Sequence, residues 1–210
     1  MKGSNAEKYI KFGEANQVDE VACLKNRRLW YSLGKPEKRQ VVLPYSYDAS
    51  FKTFFVDEPT IADKRLVQCW PSTDSIAPKA LCGLLNSTFW FLFLEISGNS
   101  NLGEGALVFN TKDFSKIPTL DLTKMQKSQM QQIELALDAM KNRNIGTIFD
   151  ELEQPDRQAL DEIIFDAFTL SKGEREAVYE ATLNLVEKRL GKAKSLESDK
   201  GLSRVKTLLN

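Results

Sequence analysis

Six cations fall within the fifteen residues from Lys25 to Arg39: Lys25, Arg27, Arg28, Lys35, Lys38 and Arg39, against one acid, Glu37. Trp30 and Tyr31 lie between the two halves of this cluster, and Gly34 with Pro36 places a turn there. Lysine and arginine side chains reach phosphates, and aromatic rings wedge or stack against bases, so the combination suits nucleic acid. Lys64 and Arg65 add a second basic pair downstream. The same residues fit a solvated basic loop with Trp30 packed inward equally well, and composition alone leaves both open.

Other chemistries find little to work with. The chain has no histidine, which removes histidine general bases, serine–histidine triads and histidine-ligated zinc. Cys23, Cys69 and Cys82 are far apart and odd in number, forming neither a metal pattern nor a disulfide framework. Gly103-Glu104-Gly105 is a lone G-x-G on the wrong side of a strand, and no P-loop occurs. Pro155-Asp156 opens a helix, and Glu151 and Glu153 near a helix end are expected to face solvent. We therefore expect no catalytic residue, no metal ligand and no cofactor site in this chain. Net charge is zero, with 42% hydrophobic and 28% charged residues, ordinary for a globular protein. The cysteine usage and the lack of an apolar leader point to a reducing cytoplasm.

The element that must hold such a surface is the apolar run from Lys79 to Ile96, long enough for about five helical turns. Pro78 suits its first turn and Ser75 is its candidate cap. Asn86, Ser87 and Thr88 at its middle argue against a membrane span. A turn over 99–105, a strand at Ala106–Phe109, a helical turn at Thr111–Lys116 and a strand or extended exit at Ile117–Leu122 follow. Upstream, Gln40–Tyr45, Phe51–Val56 and Arg65–Trp70 predict three strands in an antiparallel meander. Downstream, capping boxes at Thr123–Gln126 and Ser171–Glu174 start helices. Their inward positions include Ile133, Leu160, Ile164, Val178 and Val186, with Arg175 and Arg189 outward. The predicted fold is α+β: a small, mostly antiparallel sheet packed on a long apolar helix, followed by an α-helical subdomain. The expected divisions are a linker or frayed start (1–22), an α+β domain (23–122), a helical subdomain (123–195) and a polar tail (196–210).

Three phrases of the central stretch resemble the target-recognition region of N6-adenine DNA methyltransferases of restriction–modification systems. They are Leu84-Leu85-Asn86-Ser87, the glycine loop before Ala106-Leu107-Val108-Phe109, and Asp113-Phe114-Ser115-Lys116-Ile117-Pro118. Lys25-Asn26-Arg27-Arg28-Leu29-Trp30-Tyr31 is similar to that family's opening phrase for the domain. Asp156-Arg157 to Asp161, Glu174-Arg175 and Leu185 to Arg189 resemble its helical tail. The resemblance covers roughly residues 24–195. It implies a double-stranded DNA partner, with Lys25, Arg27, Arg28, Trp30, Tyr31, Lys35, Lys38, Arg39, Lys64 and Arg65 as contacts. The family's Asn/Asp-Pro-Pro-Tyr/Phe loop and its S-adenosylmethionine turn are missing here. The resemblance thus implies a non-catalytic fragment whose methyltransferase domain, with its S-adenosylmethionine, lies upstream in the parent chain. The competing reading is a protein–protein interaction or subunit-assembly module. In it, the amphipathic helices of 123–190 could pair with a second copy or another subunit.

Overall fold

A computed structural model describes residues 2–32, 37–63, 65–100 and 105–208, with side chains given through 195 except Ser100. The chain divides into two compact units, Met1–Glu37 and Lys38–Asn210.

The first unit holds helix α1, Asn5–Ala15, where a linker or frayed start was expected. Its start is set by Ser4, whose side chain accepts the Glu7 N–H, while the Glu7 carboxylate accepts the Gly3 N–H at 2.5 Å. This is a serine-to-glutamate cap of the usual spacing. A short 3-10 turn at Val18–Glu20 and a run of turns through 31 complete the unit. Gly13 is its one buried residue on α1, because the indole of Trp30 lies on it.

The second unit is α+β. Its larger sheet contains β1 (Arg39–Pro44), β3 (Phe54–Thr60) and β4 (Leu66–Cys69) in the order β3-β1-β4, all antiparallel. The predicted meander would have paired β3 with β4. Instead β1 is central, because Val41, Val42 and Leu43 are its most apolar triplet and are buried from both sides. Val41 pairs with Phe55 and with Cys69, and Leu43 pairs with Val67; this face meets the core. Val42, Phe54 and Gln68 turn the other way, as strand alternation requires. A second, minimal sheet joins β2 (Ser46–Tyr47), β5 (Asn99–Ser100) and β6 (Leu107–Val108) in the order β2-β6-β5. Tyr45 links the two sheets: its N–H donates to Arg65 O at 2.9 Å, and its carbonyl accepts from Phe109 N at 3.0 Å.

The apolar run is not one helix. It forms α2 (Pro78–Leu84) and α3 (Thr88–Ser97), bent by 66°. Ser87 caps α3 by accepting the Trp90 N–H, and its hydroxyl donates to Leu84 O at 2.7 Å. Asn86 and Ser87 thus stop one helix and start the next, which residue-by-residue apolar counting cannot register. Among the described residues no single helix is long and apolar enough to cross a membrane. Ser75 is not the cap of α2; Ala77 occupies that position without a side-chain bond.

After α4 (Thr111–Phe114), no strand forms over 117–122. Asp121 caps a 3-10 turn at Leu122–Lys124, and the capping box belongs to Gln126 and Gln129 rather than to Thr123. The remaining helices are α5 (Lys127–Met140), α6 (Ile148–Glu151), α7 (Pro155–Ala167) and α8 (Lys172–Leu208). The Ser171–Glu174 box forms as predicted, with Ser171 N–H and hydroxyl on the Glu174 carboxylate. The polar end expected to fray continues α8 to Leu208.

The helices after 123 do not make a separate subdomain. α2 packs on α5 and α3 on α8. Ile148, Leu152 and Val186 enter the sheet core, while Ile76 and Leu84 enter the cluster of Ile133, Leu160 and Ile164. The reason is that α2 and α3 are apolar nearly all round, so burying them takes helices on the side away from the sheet.

Candidate nucleic-acid interface

Lys25, Arg27 and Arg28 are exposed on the turn-rich segment of the first unit. Arg27 Nη1 donates to the Ser32 carbonyl at 3.4 Å, which tightens the turn. Among the described residues Lys25 and Arg28 make no ion pair. Trp30 is half-buried: a Cβ built on Gly13 would lie 2.4 Å from its Cη2, and Tyr31 meets its ring edge-on at 5.8 Å. Trp30 therefore anchors the segment, and Tyr31 braces it. The inward reading of Trp30 is the one that the packing supports.

In the second unit, Lys38 is exposed, and Arg39 opens β1 with its guanidinium 4.2 Å from the centre of the Trp70 ring. Arg65 precedes β4 and is exposed beside Tyr45, Asn110 and Thr111, which line a cleft with it. Strand register separates Arg39 from Arg65. Val41 lies opposite Cys69 and Pro44 opposite Leu66, so the two arginines sit at opposite ends of the sheet, about 20 Å apart along the strands. They do not form the single cluster that their types suggested. Lys35 and Lys64 lie outside the described residues.

Several side chains that look chemical in sequence are structural. Glu151, expected in solvent, is 2% exposed and Arg157 is fully buried. Arg143 joins Glu151 and Asp156 through four hydrogen bonds of 2.6–2.9 Å. Burial alone would raise the Glu151 carboxyl, but Arg143, the Gly146 N–H and Arg157 outweigh it and hold it below the ordinary range. Hydrogen bonds from Arg143 likewise hold Asp156 low. Arg157 reaches from Glu151 to the backbone carbonyl of Asn86. Arg189, expected outward, is 8% exposed. It grips Glu95 with Nε and Nη2, and donates to the carbonyls of Asp48 and Gly105. Arg157 ties the break between α2 and α3 to α7, Arg189 ties α3 and the chain at Asp48 and Gly105 to α8, and Arg143 holds α6 to α7. Sequence spacing misses the ties of Arg157 to Asn86 and of Arg189 to Glu95, Gly105 and Asp48, because those partners lie 71 to 141 residues apart.

Burial pushes the thiols of Cys69 and Cys82 up. Cys82 is fully buried and its thiol is pushed up to about 12, first by burial. Among the described residues no group of histidine, cysteine or acidic side chains could hold a metal ion. Of the glycine loop, residues 101–104 lie outside the described residues. Gly105, at φ +67°, faces α8 so closely that a Cβ would come 2.8 Å from the Ala193 Cβ, and its carbonyl is taken by Arg189.

Comparison with protein-family models, curated proteins and solved structures finds no match to this chain.

Proposed function

We propose that this chain is a DNA target-recognition module of a site-specific adenine-N6 DNA methyltransferase in a restriction–modification system, with the catalytic machinery elsewhere in the parent protein. The observation that carries the reading is the exposed Lys25-Asn26-Arg27-Arg28 segment, held in place by Trp30 on Gly13 and not neutralised by carboxylates at Lys25 and Arg28. Cations presented this way position a protein on phosphates without reading sequence. Lys38, Arg39 and Arg65 add contacts at the two ends of the larger sheet. The phrases of residues 84–118 resemble that family and supply the enzyme class.

The test is duplex binding by fluorescence anisotropy across a salt series. Lys25→Ala with Arg27→Ala and Arg28→Ala should weaken binding at low salt and flatten the log–log salt slope by about three units, near one per phosphate lost. Unchanged affinity and slope would overturn the reading.

One observation favours the assembly alternative. Tyr9 and Phe12, three residues apart on α1, are 69% and 65% exposed. A chain that sediments as a stable oligomer and ignores DNA would favour that role.

A further inference from the structure

Of the three tryptophans, Trp90 is buried, Trp30 is packed on Gly13, and Trp70 is 51% exposed. An indole half in water at the end of a strand keeps a large π-surface free to bind. Its surroundings are built. Arg39 lies over one face of the ring. The cavity beside it, about 330 Å³, is lined by Pro59, Pro71 and Pro78 together with Lys38, Thr73 and one acid, Asp74. Thr73 Oγ1 is in turn 2.6 Å from Ser75 Oγ, so a hydroxyl fixed by its neighbour lines this space beside the cations. Prolines lose little freedom when a ligand docks, and a guanidinium on one face stiffens the ring. With that face covered, what Trp70 offers is its other face and its edge.

We infer that Trp70 is a stacking platform for an unpaired nucleobase, with Lys38 placed for the adjoining phosphate. This deepens the nucleic-acid reading and rests on it. A flat π-face, a nearby cation and a hydroxyl group together match a nucleotide taken out of a base stack. The geometry does not ask for a base pair: the cavity is of single-nucleotide size and has one ring to stack on.

The probe is a mixed-sequence twelve-nucleotide single strand, compared with its duplex, on the full chain. The single strand should quench tryptophan fluorescence. Trp70→Ala should remove most of that quenching and weaken binding by roughly tenfold or more. Trp70→Phe, which keeps a ring, should restore most of the affinity and guards against a folding artefact. The Lys25, Arg27, Arg28 triple variant should need more DNA but reach the same quenching at saturation. If Trp70→Ala binds like the wild type while the triple variant is weakened, the platform is overturned and the DNA reading stands. Failure of the wild type to bind either DNA overturns both. Equal quenching by the duplex rejects an unpaired base. Quenching by a proline-rich peptide but not by DNA makes the cavity a peptide groove and ends the inference.

Discussion

Asp161 accepts two hydrogen bonds from Thr88, from its N–H at 2.7 Å and its hydroxyl at 2.6 Å, joining α7 to the first residue of α3 across 73 positions. Both residues are fully buried. A helix start sealed from water must find partners for its N–H groups inside the protein. Asp161 supplies one partner and Ser87 another. Asp161→Ala should leave the Thr88 donors empty and cost about 2–4 kcal/mol in urea denaturation. Asp161→Asn, which keeps one acceptor, should cost less.

Asp161 also makes stability depend on pH. Burial pushes its carboxyl up to about 6, although Arg157, Thr88 and Tyr179 pull it down. A raised acid binds its proton more tightly in the folded state. Its contribution is therefore full below the ordinary aspartate range near pH 4, and is lost as pH rises through about 6. Asn cannot titrate, so the stability gap between wild type and Asp161→Asn should narrow from about pH 4 to about pH 7. A gap constant over that range sinks the assignment.

The Arg143 cluster has the opposite sign. Glu151 and Asp156 are held below their usual range, so their stabilisation is present above it and lost as pH falls through the lowered values. Arg143→Met should cost about 2–4 kcal/mol at neutral pH, since it leaves Glu151 buried with only Arg157 and the Gly146 N–H. That cost should shrink below about pH 4, where the carboxylates take up protons. Unfolding curves measured at pH 7 and pH 3 check both parts.

Gly83 is where α2 meets α5. A Cβ there would lie 2.3 Å from Ile133 Cγ2 and 3.2 Å from the Ile133 carbonyl oxygen. Ordinary helix propensity favours alanine over glycine by about 1 kcal/mol. Gly83→Ala should nevertheless destabilise by about 1–3 kcal/mol, because Ile133 is fully buried and cannot yield without moving the helix. A raised melting temperature would contradict this packing.

Gly13 makes the same kind of prediction for the first unit. Gly13→Ala would drive a methyl to within 2.5 Å of two Trp30 ring carbons. A unit of this size has little else to hold it. Limited proteolysis should cut near Trp30 sooner in the variant, while the melting of Lys38–Asn210 should be unchanged. Equal cleavage rates would mean that Trp30 does not anchor the segment.

Much of the frame was legible in the residues. The β-branched run Val41-Val42-Leu43 marked a strand, Pro155 and the Ser171–Glu174 box marked helix starts, and the apolar run marked the centre of the core. The break at Asn86-Ser87 was not legible. Asn86 looked like a polar blemish in a helix, yet its amide pairs with both the N–H and the carbonyl of Thr53. Only the arrival of the sheet beside it makes that residue a joint. For the candidate interface, residue type separated cation from anion but not surface from support. Lys25 and Arg28 stand outward while Arg157 and Arg189 are buried ties.

The order of apolar, β-branched and capping residues was enough, alone, to determine an α+β chain with a buried middle. Those signals act over a few neighbours, so they survive in any local window. Which strand takes the centre, where the middle bends, and which arginines face water depend on partners tens of residues away. Charge burial is decided by whether a carboxylate or carbonyl arrives to receive the guanidinium, and only the folded arrangement brings it there.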